Sequence, residues 1–258
     1  MPMVPESAIA MLACTRIGAV HSVVFGGFSK DSLKERIEDC GAKIVLTADG
    51  YWRRGQIVPL KATTDEAVKE APSIEKVVVL QRLGEKANVT MQEGRDHWWH
   101  ELMLTVDANC PAEELDSEHP LYVLYTSGTT GKPKSTMHFH RDILIIADTF
   151  SARIVKPTPD DVFAGSPPFA FTFGLGGLLI FPLRAGASTV LLEAAGPPQL
   201  LEAIPEHRIT CLFTAPTAYR AMLPMLGNAD VSSLRRCVSA GETLPKATWQ
   251  AWFDATGI

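Results

Sequence analysis

Apolar positions along this chain recur at helical spacing in some stretches and as short β-branched runs in others, and the two kinds of stretch alternate. In PESAIAMLACTRIG, Ile9, Leu12, Ala13 and Ile17 fall on one helical face, and Gly18 closes the element. AVHSVVF, residues 19–25, is short and β-branched and predicts a strand. In SKDSLKERIEDCG, Ser29 is the expected N-cap, Leu33 and Ile37 form the apolar stripe, and Gly41 is the C-terminal cap. KIVLT is the next strand, and the order repeats in helix TTDEAVKEA and strand KVVVL.

Residues 81–120 are less regular and more polar and read as a surface excursion. Beyond them the pattern predicts a helix from about Arg141, a strand near Val162 and a strand STVLL. Helix PQLLEAIPEH, strand TCLF, helix PTAYRAMLPML, strand LRRCVS and helix LPKATWQAWFDAT follow. Strands alternating with helices of this length predict βαβ units, hence an α/β fold of mainly parallel sheets with flanking helices. There is no internal repeat.

Composition narrows the partners. The 258 residues suffice for one large domain or two smaller ones, and a net charge of −5 with no basic stripe excludes nucleic acid as the main partner. The five cysteines are odd in number and never in C-x-x-C spacing, which predicts reduced thiols in a cytoplasmic protein. The pairs His97/His100 and His138/His140 lack a companion Cys or carboxylate at ligand spacing, so no metal site is predicted. The start carries no basic signal region. The most apolar run, FAFTFGLGGLLIFPL, is broken by glycines and shorter than the ~18 residues of a membrane span, so it reads as core.

One stretch stands apart. LYVLYTSGTTGKPKS, residues 121–135, passes from an apolar strand into hydroxyls, glycines and lysines. Gly128 and Gly131 let backbone amides approach an anion, Ser127, Thr129 and Thr130 add donors, and Lys132 and Lys134 add charge. That combination suits a polyphosphate. It is not a Walker A loop, because Gly131-Lys132 is followed by Pro133. The plain alternative is a solvated strand-to-helix turn.

YTSGTTGKPK resembles the signature loop of the adenylate-forming superfamily, which includes acyl-CoA synthetases, peptide-synthetase adenylation domains and luciferases. The resemblance implies that the loop wraps the phosphates of ATP. Thr129 and Lys134 would then be catalytic, with Thr126, Ser127, Gly128, Thr130, Gly131 and Lys132 binding the nucleotide. Ser135 stands where that superfamily usually has glycine.

Residues 1–134 resemble acetyl-CoA synthetases in MPMVPESAIAMLACTRIGAVHSVVFGGFS, ADGYWRRGQIVPLK and GRDHWWHELM. This implies that Arg53 contacts the nucleotide end of coenzyme A, although Gln56 replaces a second basic residue usual there. Residues 121–258 resemble benzoate- and 2-aminobenzoate-CoA ligases in STMHFHRDILIIADTF, SPPFAFTFGLGGLLIFPLRAGAS and VSAGETLP. There Phe171, Phe173 and Gly174 imply a flat apolar slot for an aromatic acid, with His140 beside it. On spacing alone, core packing explains those aromatics equally well. SAGE matches the segment that flanks adenine, which assigns Ala240, Gly241 and Glu242 to the nucleotide.

The implied protein is an AMP-forming acid–thiol ligase using ATP, Mg²⁺ and coenzyme A on a small-molecule carboxylate. An aromatic acid is favoured, with acetate as the alternative. The implied fold is part of the large N-terminal domain of such enzymes, residues 1–258 forming a partial AMP-binding domain with subregions 1–120 and 121–258. Superfamily members begin earlier and continue into a C-terminal domain that carries a catalytic lysine, so the chain reads as an internal fragment without that domain. A non-catalytic nucleotide-binding fragment is the reading from another class. The change of relative at the shared loop is also what a joint between two homologous genes would produce.

Overall fold

The computed structural model describes residues 1–53, 55–126 and 134–258. They divide into two compact units, Met1–Leu115 with Leu121–Val123, and Asp116–Pro120 with Leu124–Ile258.

The first unit runs α1 (Pro5–Arg16), β1 (His21–Ser22), α2 (Lys30–Cys40), β2 (Ile44–Ala48), β3 (Tyr51–Arg53), β4 (Gln56–Val58), α3 (Leu60–Val68), β5 (Lys76–Leu80), β6 (Asp96–Trp98) and α4 (Trp99–Thr105). It also takes Leu121–Val123 of β7 (Pro120–Thr126), where Tyr122 and Val123 pair in parallel with His21 and Ser22. Helix α2 starts and stops where its caps predict. Ser29 Oγ accepts from Ser32 N at 3.3 Å, and Gly41, at φ 57, returns its amide to Ile37 and Glu38. Strands β2, β5 and β6 form a parallel sheet in that order. Its core gathers Ile37, Val68, Ala71, Val77 and Val79.

Three sequence expectations change here. The face of α1 that packs inward is Ser7, Ala10 and Met11, whereas Ile9, Leu12 and Ile17 are exposed. Apolar residues lie all round this helix, so periodicity could not choose between faces. The small residues allow the closer approach, and Ser7 Oγ donates to Pro2 O at 2.8 Å. The strand expected over 19–25 shrinks to two residues. The polar stretch 81–120 supplies β6 and α4. Its Asp96 is the reason. The buried Lys61 ammonium lies 2.8 Å from Asp96 and 2.7 Å from Asp65, and it donates to Thr90 O at 3.0 Å. Arg95 pairs with the same two carboxylates, which ties the excursion to α3.

The second unit runs β8 (Lys134–Phe139), α5 (His140–Ile146) leading into a π-helical stretch Ala147–Val155, and β9 (Val162–Gly165). Then come α6 (Thr172–Leu175), a π-helical turn Gly176–Ile180, α7 (Phe181–Ala185), β10 (Ser188–Thr189) and α8 (Pro197–His207). β11 (Cys211–Thr214), α9 (Pro216–Met222), β12 (Arg236–Ser239) and α10 (Lys246–Thr256) complete it. Four strands pair in parallel in the order β10-β9-β11-β12. One face carries Phe163 and Phe213 against Phe173 and Phe181. The other buries Leu200, Ile204, Leu212, Tyr219, Met222 and Trp252. Both faces are covered, as a parallel sheet requires. The strand expected as STVLL keeps only Ser188–Thr189, the two residues in register with Val162 and Phe163 of β9.

Candidate functional site

Parallel sheets offer ligands the carboxyl ends of their strands. In the first unit that position beside β2 and β5 is filled by the chain itself. The buried Asp49 carboxylate accepts from the amides of Gly50, Arg82, Leu83 and Gly84 at 2.7–3.1 Å. In the second unit the ends of β9, β11 and β12 carry hydroxyls instead. Thr214 stands in register with Ser239, and Ser166 Oγ lies 2.6 Å from Thr214 Oγ1. The Ser239 hydroxyl is buried and has no hydrogen-bond partner among the described residues. Ser166 and Thr214 were not singled out from the sequence, and Ser239 entered only as the first residue of SAGE. Their alignment exists only once three strands far apart in the chain are paired.

After β12 the predicted nucleotide segment Ala240, Gly241 and Glu242 forms an open turn. Gly241 sits at φ 93, a left-handed conformation that a side chain would strain. Glu242 Oε1 accepts from Thr217 N at 3.1 Å, in the first turn of α9. Its carboxylate is therefore engaged in holding the turn against that helix, where the helix dipole favours negative charge. Ala240 and Gly241 present backbone.

Phe171, Phe173 and Gly174 lie together at the start of α6. Phe171 is 41% exposed, and Phe173 stacks obliquely on Phe213 with centroids 5.6 Å apart. A Cβ on Gly174 would overlap the carbonyl oxygens of Pro167 and Pro168, and one on Gly177 would overlap the Phe213 ring. Two glycines thus press this segment onto the sheet and its Pro-Pro turn. Phe173 belongs to the packed layer, whereas Phe171 is partly exposed at the N-cap of α6.

His140 opens α5, with its amide donating to His119 O at 3.2 Å. Its Nε2 is buried without a partner among the described residues. Burial, and then the neighbouring His119, lowers its pKa, so the ring is neutral at neutral pH. His138 is different: its Nδ1 lies 3.3 Å from Asp142 Oδ2.

In the first unit, Arg53 ends β3, exposed, with its guanidinium 5.4 Å from the Phe25 ring centroid. Lys134 opens β8 and is exposed, and Thr126 ends β7. Ser127, Gly128, Thr129, Thr130, Gly131 and Lys132 lie outside the described residues. Among the described residues there is no cluster of three or more His, Cys, Asp or Glu that could hold a metal ion. No described helix is long and apolar enough to cross a membrane.

Parallel strands ending on hydroxyls, a glycine-opened turn and an aromatic-lined segment make the carboxyl end of the second unit's sheet the candidate ligand site of an α/β domain. The chain belongs to the AMP-binding enzyme family, which it matches over residues 1–258. It is 44% identical to an acetyl-coenzyme A synthetase of Rubrobacter xylanophilus over 267 residues, covering 100% of this chain and 41% of that protein. A Gemmatimonas aurantiaca acetyl-coenzyme A synthetase is 42% identical over 269 residues, with the same two coverages. Among solved structures, the anthranilate CoA ligase AuaEII in complex with anthranoyl-AMP superposes with a TM-score of 0.88 at 27% identity. That match covers 100% of this chain and 47% of the ligase. The chain spans about two fifths of the length of the curated relatives it matches.

Proposed function

We propose that this chain serves an AMP-forming acyl-CoA ligase. A carboxylate oxygen attacks the α-phosphorus of ATP, the bond to the bridging oxygen breaks, and pyrophosphate leaves. The coenzyme A sulfur then attacks the acyl carbon of the mixed anhydride, its proton is lost, and AMP leaves. Residues 121–258 would supply the phosphate, acyl and adenine contacts, and residues 1–120 the coenzyme A contact through Arg53. Ser127, Thr129, Thr130, Lys132 and Lys134 would hold the departing pyrophosphate, with Gly128 and Gly131 letting their amides approach. Ala240 and Gly241 would line the base by backbone, with Glu242 securing their turn. Mg²⁺ would arrive as the counterion of ATP. The described residues offer no cage for it, and no step is assigned to it. Coenzyme A and ATP are cytoplasmic co-substrates, so the ligase reading implies a cytoplasmic protein.

One observation carries this reading: the whole chain shares its architecture with a CoA ligase that holds an acyl-adenylate. For the acid, we favour an aromatic carboxylate, because Phe171 offers an exposed ring beside the packed Phe173 and Gly174. The identity to acetyl-coenzyme A synthetases favours acetate as the second reading. Calorimetric titration of the 258-residue chain with ATP, then with benzoate, 2-aminobenzoate or acetate beside a non-hydrolysable ATP analogue, tests both. Absence of ATP binding removes the adenylation reading, and tighter binding of acetate than of either aromatic acid removes the aromatic one.

A further inference from the structure

The turn at Ala240 and Gly241 has little packing of its own, since a Cβ on Gly241 would meet no described atom within 4 Å. It is tied at both flanks instead, and both ties come from α9. Downstream, the Thr217 amide donates to Glu242 Oε1 at 3.1 Å. Upstream, the Tyr219 hydroxyl lies 3.0 Å from Leu212 O and 3.3 Å from Val238 O. Those two carbonyls belong to the neighbouring strands β11 and β12, and Val238 stands two residues ahead of Ala240. Tyr219 is itself fixed, being buried and meeting Trp252 edge-on with ring centroids 4.7 Å apart. Burial pushes the phenol well above its ordinary pKa, so the hydroxyl keeps its proton and donates.

One O–H shared between carbonyls on adjacent strands sets how far each strand advances toward the carboxyl end of the sheet. Leu212 is in register with Cys237 and Phe213 with Val238, so the hydroxyl spans one step of the ladder just before the turn begins. A turn that lines a base with backbone selects that base by position alone, and here the position is where β12 ends. We propose that Tyr219 and Thr217 are positioning residues of the nucleotide site. The tyrosine hydroxyl sets the end of β12 and the threonine amide holds Glu242, so that the turn between them meets the adenine base. The inference rests on the reading of the protein as a ligase that binds ATP. It gives the tyrosine of PTAYR a task beyond its place in the core, and a task that belongs to its oxygen and not to its ring.

Calorimetry on the 258-residue chain uses three probes: ATP, GTP (the same sugar and triphosphate on another base) and inorganic tripolyphosphate, which has no base. Wild type is compared with Tyr219→Phe, which keeps the ring against Trp252 and deletes only the hydroxyl. Thr217→Pro deletes only the amide donor, at the second residue of α9. Proline is tolerated in a first helical turn, and α8 already carries Pro198 at the same place. Each substitution is expected to weaken ATP about fivefold, the worth of one hydrogen bond, and to leave tripolyphosphate unchanged. GTP should lose less than ATP, so the preference between the two bases narrows. Wild-type ATP affinity in both variants overturns the positioning role. Equal losses for ATP and tripolyphosphate would mean a general disturbance and overturn it as well. If one variant does not melt cooperatively, the other decides by the same two criteria. A wild-type chain that binds tripolyphosphate as tightly as ATP overturns this inference and leaves the phosphate loop standing. One that binds none of the three probes removes the ligase reading, and this inference with it.

Discussion

Arg235 grips Asp161 with two nitrogens, its Nε standing 2.5 Å from Oδ1 and Nη2 meeting Oδ2. The carboxylate is buried and also accepts from Thr210 Oγ1 at 2.6 Å and from Thr158 N at 2.7 Å. Three chain segments that precede β9, β11 and β12 are thereby pinned at one edge of the sheet, opposite the hydroxyl-bearing ends. Asp161→Ala strands an arginine and three further donors, Thr158 N, Thr158 Oγ1 and Thr210 Oγ1. It should cost about 3 kcal/mol of unfolding free energy, read from urea denaturation. A loss under about 1 kcal/mol would mean that water replaces the carboxylate at little cost.

The Lys61–Asp96–Arg95 cluster predicts an acid limit. Burial by itself would raise the Asp96 carboxyl, but hydrogen bonds from Arg95, the Gln92 amide and Lys61 outweigh it and hold the group at about 2, against an ordinary 3.8. The folded pKa is thus below the unfolded one. The stabilisation is complete above about pH 4 and is lost as pH falls through about 2, an effect of about 2 kcal/mol. Urea midpoints measured from pH 6 to pH 2 should fall more steeply in wild type than in Asp96→Asn. Parallel curves would show that Asp96 is not the responsible group.

Gly174 should be intolerant of any side chain. A methyl group there meets two backbone carbonyls that cannot swing aside, so Gly174→Ala has to lift α6 from the Pro167–Pro168 turn. The expected cost is about 1–3 kcal/mol, with weaker binding of 2-aminobenzoate and unchanged ATP affinity. Phe171→Ala should weaken the aromatic acid without that stability loss. If Gly174→Ala melted and bound as wild type, the close approach would not be needed.

For the phosphate loop, Thr129→Ala and Lys134→Ala should each lower ATP affinity about tenfold, because each removes a donor to a charged oxygen. Calorimetry on the two variants decides this. Unchanged affinity in both would take the triphosphate away from residues 126–134.

Much of the order of elements was legible in the chain, because caps and periodicity are local. Ser29 and Gly41 bound α2 through contacts three and four residues away, and such contacts are visible in the string of letters. The candidate loop at 126–134 stands out in the sequence for the same reason, since its glycines, hydroxyls and lysines are contiguous. Other features depended on partners the chain brings from far away. The inward face of α1 was undecidable from its pattern, because both faces are apolar and only the packing of Ser7, Ala10 and Met11 selects one. Glu242 is assigned to the nucleotide by its motif alone, and only the fold shows that its Oε1 also accepts from Thr217 N, twenty-five residues earlier. The row Ser166, Thr214 and Ser239 depends on strand register, which hydrogen bonds between separate segments set and no local spacing encodes.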